Sequence, residues 1–181
     1  KMPLFSLETK TEIASFDFVG FSLQYEMIYT NVLNMLDLAG IPLYAKDRGE
    51  DMPFIVGGGP CVYNVEPVAD FFDFFIVGEG EEAIVEVSDA FMAWDKAGRP
   101  GGRKGFLRRL LSADGIYVPS FYEPEYDEEG NYKDLRPLAE AAKPVIYKRV
   151  IRDMDDAISV EHPIVPYMDI VHNRIMLELF R

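Results

Sequence analysis

FIVGGGPCVYN at residues 54–64 and FFDFFIVGEGEEA at residues 71–83 each run from an apolar stretch into glycine and then into polar residues. Short apolar runs bounded by glycine read as buried strands, and helical spacing of apolar residues between them reads as covering helices. The second run leads straight into EEAIVEVSDAFMAWDKAG, residues 81–98, whose acidic first turn suits the positive end of a helix dipole. Between the two runs VEPVADFF, residues 65–72, reads as a short helix. Upstream, FDFVGFSLQ at 16–24 is a strand with a polar stop. Ile28, Val32, Leu33, Met35, Leu36 and Ala39 then recur at helical spacing, with Gly40 and Pro42 as the stop. A further short strand is read at MPLFSLE, residues 2–8.

Strand and helix in alternation imply parallel pairing through right-handed crossovers. The expected architecture is α/β, a flavodoxin-like, doubly wound parallel sheet over residues 1–97. The character of the chain then changes. GRPGGRKG at 98–105 is a basic, turn-rich linker, and FLRRLLS at 106–112 is a short amphipathic helix ended by Asp114 and Gly115. IYVPSFYEPEY at 116–126 and VIYKRVIRD at 145–153 alternate polar and apolar residues about the turn signal DEEGN at 127–131. They are read as the arms of a small β appendage within residues 98–163. Residues 164–181 end on RIMLELF, apolar on both sides of its alternation, and are read as a lead-in strand to a further domain.

Composition narrows the partners. The chain has 181 residues, is 49% hydrophobic and carries a formal net charge of -13, which opposes a nucleic-acid backbone or an anionic membrane surface. No apolar stretch approaches the ~20 residues that span a bilayer. One cysteine, Cys61, excludes an internal disulfide and cannot alone hold a zinc ion or an iron-sulfur cluster, so a cytoplasmic location is expected.

In an open parallel sheet, ligands sit beyond the carboxyl ends of the strands, where glycine lets the backbone approach a ligand or take a positive φ. Gly57, Gly58 and Gly59 end one strand, and Gly78 and Gly80 end another. If the two strands are neighbours, these glycines share one ligand-facing or domain-facing edge. GGGPCV and GEGEEA both lack the last glycine of a dinucleotide fingerprint.

VGFSLQYE followed by FIVGGGPCVYNVEPVADFFDFFIVGEGEEAI resembles the amino-terminal, cobalamin-binding-like domain of radical S-adenosylmethionine (radical SAM) proteins, in which Gly-Gly-Pro and Gly-Glu-Gly-Glu recur in this order. The likeness is to a bacterial family of large radical SAM proteins of unknown function, and GIYVPSFYEPEY and IVPYMDIVHNRIMLELFR extend it over nearly the whole chain. It implies a non-catalytic domain that shapes access to the active site or holds a substrate or cofactor. Its partner would be a radical SAM domain of the same polypeptide, beginning with the strand RIMLELF and continuing into cluster cysteines beyond Arg181. That domain would carry a 4Fe-4S cluster and S-adenosylmethionine. Cobalamin binders of this fold also use an Asp-x-His-x-x-Gly loop, which is missing, and a Ser-x-Leu, matched imperfectly by Ser22, Leu23 and Gln24. Cobalamin is therefore not expected in the fragment. The candidate cofactor-binding residues are Ser22, Gly57, Gly58, Gly59, Gly78, Glu79 and Gly80. The alternative reading is a stand-alone flavodoxin-like module for a small anionic ligand.

No catalytic or metal-binding set is expected within these residues. Glu79, Glu81 and Glu82 read as the first turn of a helix rather than a cation site. Cys61 has no base at fixed spacing and reads as a small buried thiol. His162 and His172 read as ordinary polar side chains. Arg99, Arg103, Lys104, Arg108 and Arg109, with only Phe106 interleaved, read as a solvated helix face or a contact with an acidic partner.

Overall fold

The structure is a computed structural model and describes residues 3–153 and Asp155. Its centre is a mixed sheet of four strands in chain order: β1 (Phe18–Ser22), β2 (Phe54–Gly58), β3 (Phe74–Ile76) and β4 (Ile116–Tyr117). The first three are parallel, with Phe18 opposite Phe54 and Val56 opposite Phe74, and β4 is antiparallel to β3. Helix α1 (Tyr29–Ala39) links β1 to β2 and ends at Gly40, whose φ of 70° is the left-handed cap that the sequence signals. The β2–β3 link contains two 3-10 segments, Pro60–Asn64 and Glu66–Phe71, each with proline in its first turn. Helices α2 (Glu81–Lys96) and α3 (Gly102–Leu110) separate β3 from β4. The α/β expectation holds.

Alternation along the strands assigns the two faces of the sheet. Phe18 and Phe54 meet Phe91 and Trp94 of α2 and Phe106 of α3, so these two helices cover one face. On the other face Phe75 packs on Phe72 and Tyr117, and Phe21 meets Phe72. Gly57 lies opposite Phe75, and a Cβ on it would run into that ring. Its absence of a side chain is what admits the aromatic cluster.

Three expectations need correction. Residues 7–9 form a turn beside a single antiparallel bridge, Phe5 to Glu12, and no strand forms there. The basic stretch after Gly101 is already helical, so α3 begins four residues before Phe106, and α3 and β4 join the main core. The appendage is a hairpin, but its arms are β5 (Tyr122–Tyr126) and β6 (Tyr132–Pro137). Two features favour this pairing: the turn is short, and Asp127 accepts from the backbone of Glu129 and Asn131 at 2.9 and 2.8 Å. VIYKRVIRD runs elsewhere, across the end of β3. The expected lead-in strand at 164–181, and both histidines, lie outside the described residues.

A further correction concerns charge. Arg103 does not solvate a helix; it is buried with Arg48 around Asp73. Asp73 Oδ2 accepts from Arg48 Nη1 and Oδ1 from Arg103 Nη2, both at 2.8 Å, and Oδ2 also takes the Ile55 N–H at 2.7 Å. Arg48 spends its remaining donors on the carbonyls of Pro42, Leu43 and Phe71, and Arg103 on those of Met52 and Pro53. Burial pulls the Arg48 guanidinium below its ordinary value, and Asp73 opposes that pull. The charges persist in the interior because each donor and acceptor is matched.

Candidate functional site

Because β1, β2 and β3 are parallel neighbours, their carboxyl ends open onto one side of the sheet. A cleft of about 790 Å³ lies there, lined by Ser22, Gln24, Gly59, Pro60, Tyr63, Gly78, Glu79, Gly80, Glu81, Lys148, Arg149 and Val150. Five of the seven predicted residues therefore meet in it: Ser22, Gly59, Gly78, Glu79 and Gly80. Gly57 faces the aromatic core instead, and Gly58 ends β2 with open space where a Cβ would stand.

Each wall has a local cause. On the first, Leu23 is fully buried and donates its N–H to the Gly58 carbonyl at 2.6 Å, which pins the end of β1 against the end of β2. Gly59 then turns with φ 95°, and a Cβ there would sit 3.0 Å from both the N and the O of Leu23. Only glycine accommodates both constraints. The turn continues into Pro60, and Cys61 donates its N–H to the Leu23 carbonyl at 3.0 Å. Ser22 Oγ accepts from Gln24 Nε2 at 2.8 Å. Cys61 is half-buried beside Tyr29, whose phenol is raised chiefly by burial and then by this thiol. Among the described residues no histidine accompanies it.

The second wall is the start of α2. Gly80 precedes it with open space at its Cβ position, and Glu81 and Glu82 occupy the first turn. Glu82 is paired with Arg149, so the acidic turn serves an ion pair as well as the helix dipole. Among the described residues no group of three or more acidic, cysteine or histidine side chains is placed to hold a metal ion.

The third wall was not legible as such in the sequence. Residues 147–151 cross the end of β3, and Gly78 forms a parallel bridge with Arg149. Arg149 N–H donates to Val77 at 2.8 Å, Glu79 N–H donates to Arg149 at 3.0 Å, and the Glu79 carboxylate accepts from Ile151 N–H. The Arg149 guanidinium spans Glu82 and Glu86, with Nη2 at 3.0 and 2.7 Å from their carboxylates. This pairing holds Glu86 below the usual carboxylate range and raises Arg149 above its own. Gly78 therefore faces the chain's own backbone. The one clue in the sequence was the glycine itself, since its partner lies 71 positions further on.

Residues 1–119 match the family of radical SAM proteins, N-terminal. The chain belongs to that family. It is also 37% identical over 137 residues to an uncharacterized protein of Methanocaldococcus jannaschii, covering 74% of this chain and 24% of that protein. The chain thus spans about a quarter of the length of this relative. No solved structure matches it. In this radical SAM N-terminal domain the match takes in both glycine-ended strands and α2, while the Arg149 wall lies beyond residue 119. The family implies a 4Fe-4S cluster and S-adenosylmethionine for the full protein. This chain has a single cysteine, so it cannot by itself supply a set of thiolates to that cluster. Among the described residues no helix is long and apolar enough to cross a membrane.

Proposed function

We propose that this chain is the non-catalytic amino-terminal part of a radical SAM enzyme, and that its cleft shapes access to the active site or holds part of a substrate or cofactor. The observation that carries the reading is the convergence of Ser22, Gly59, Gly78, Glu79 and Gly80 on one cleft at the carboxyl ends of three parallel strands. Parallel strands of α/β sheets commonly present ligands beyond their carboxyl ends. The 4Fe-4S cluster and S-adenosylmethionine belong to another domain of the same polypeptide, in a cytoplasmic protein. The core serves as a cobalamin-binding-like fold used without a histidine-ligated corrinoid. The charged groups of the cleft comprise two acids, Glu79 and Glu81, and two bases, Lys148 and Arg149, so it has no net preference for an anion. This balance favours the domain reading over the alternative of a stand-alone module for a small anionic ligand at the glycine-lined edge.

The test uses the full-length protein, prepared without oxygen and reconstituted with iron and sulfide. A Cβ at Gly80 meets nothing within 4 Å, so Gly80→Val adds bulk to the cleft at an open position. It is expected to leave reductive cleavage of S-adenosylmethionine intact while weakening coupling to turnover of the physiological substrate. Wild-type protein that neither takes up a cluster nor forms 5′-deoxyadenosine under dithionite would overturn the enzyme reading. Unaltered coupling in Gly80→Val would overturn the role of the cleft.

A further inference from the structure

Gly78 and Gly115 belong to different segments, yet both have left-handed backbones, with φ 98° and 73°, and both abut Arg149. A Cβ on Gly78 would strike the Arg149 backbone, and one on Gly115 would lie 2.9 Å from the Arg149 Cβ and 3.1 Å from its N. Two glycines thus carve one seat. Val77 explains why a seat is needed there. Its N–H donates to Gly115 at 2.7 Å and its carbonyl accepts from Arg149 at 2.8 Å, so the edge of β3 passes from β4 to residues 147–151 where β4 gives out. Little apolar burial accompanies these bonds. Tyr147 and Val150 are 77% and 53% exposed, and only Ile151 is buried.

We infer that residues 147–151 form a strap, latched by Arg149 to Glu82 and Glu86, which seats on Gly78 and Gly115 as a removable wall of the cleft. The strap is held by backbone hydrogen bonds, the Glu79 carboxylate on the Ile151 N–H and one guanidinium between two half-exposed carboxylates, whereas β1 to β3 are held by the aromatic core. Segments with few buried apolar contacts open separately from the core they rest on. Lifting this one withdraws Lys148, Arg149 and Val150 together and opens the cleft along the β3 side, which admits a ligand or a neighbouring domain larger than the closed cleft holds. The functional consequence rests on the cleft being the binding surface of the domain; the opening itself does not.

Native-state hydrogen exchange on the purified chain tests the opening without any ligand. In the wild type the amides of Glu79, Arg149 and Ile151 are expected to exchange together, roughly tenfold or more faster than those of Ile55, Val56 and Gly57, with little dependence on low denaturant. Arg149→Met, which keeps an unbranched apolar stem and removes the guanidinium latch, should speed those three amides further and leave the β2 amides unchanged. Trypsin should then cut first after Lys148 or Arg152. Exchange of the strap amides at the β2 rate in the wild type would overturn the inference. So would an Arg149→Met chain that fails to fold, that loosens β2 equally, or that leaves the strap amides unmoved, because the strap would then be either part of the core or not latched by Arg149.

Discussion

Arg103 on α3 reaches Asp73 at the head of β3 across 2.8 Å, and its guanidinium lies 4.0 Å from the centre of the Phe54 ring. Three elements are tied by this one side chain. Asp73 in turn bonds β2, because its N–H donates to Ile55 at 2.9 Å and its carboxylate accepts from the Ile55 N–H. Removing one member of a buried ion pair strands the others without water, which typically costs about 3–5 kcal/mol. Asp73→Ala, which leaves two buried guanidinium groups, is expected to lower stability by about that amount, and Arg103→Met by less because Arg48 still answers Asp73. Urea unfolding of both variants measures the order. A larger loss for Arg103→Met would mean that its contacts with Met52, Pro53 and Phe54 outweigh the ion pair.

The aromatic and branched residues of FDFVGFS, PFIVGG and DFFIV, the cap at Gly40 and the acidic start of α2 all act over a few residues, and they were legible for that reason. The cleft was legible at Ser22, Gly59, Gly78, Glu79 and Gly80 because strand-end glycines carry a positional meaning in an α/β sheet. Arg103 and Arg149 were not. Each reads locally as a surface cation, since its acidic partner is 30 or more positions away and no periodicity joins them. The hairpin partner was misplaced for a related reason. VIYKRVIRD alternates as well as NYKDLRP does, and the nearer segment wins because a short turn closes it.

Gly57 and Gly58 are neighbours on β2 with opposite prospects. A Cβ on Gly57 enters the Phe75 ring and approaches Phe72 at 3.3 Å, whereas one on Gly58 meets nothing within 4 Å. Overpacking a filled core costs about 1–3 kcal/mol. Gly57→Ala is expected to lose that much, while Gly58→Ala stays within about 0.5 kcal/mol of the wild type. Thermal melts of the two single variants settle the contrast, and equal losses would show that both glycines serve only the backbone.

Tyr117 makes stability depend on alkaline pH. Its phenol is buried and donates to Glu66 Oε1 at 2.6 Å; burial first, then that carboxylate, raises it well above the ordinary 10.0. In the folded chain the phenol stays protonated while in the unfolded chain it ionises. Its contribution is therefore fully present below about pH 10 and is lost as the pH climbs beyond it. Tyr117→Phe should cost about 1 kcal/mol at neutral pH for the lost hydrogen bond. It should also flatten the fall in melting temperature above about pH 10. Some slope should persist, because burial raises Tyr122 as well. An unchanged alkaline slope would assign the effect to other groups.

The last expectation concerns corrinoid, and it separates the fold from the cofactor associated with it. Histidine-ligated cobalamin needs an imidazole at the carboxyl edge of the sheet, and residues 3–153 contain no histidine. Gly59 and Gly78 are committed by positive φ to turns packed on Leu23 and Arg149, so two of the glycines that would admit a flat ring are already spent on the chain's own backbone. The purified chain is expected to be colourless, and titration with hydroxocobalamin should give no saturable shift in its visible spectrum. Tight one-to-one binding would overturn this. Repeating the titration with His162→Ala and His172→Ala would then locate the ligand, because loss of binding in one variant alone would identify that imidazole as the cobalt donor.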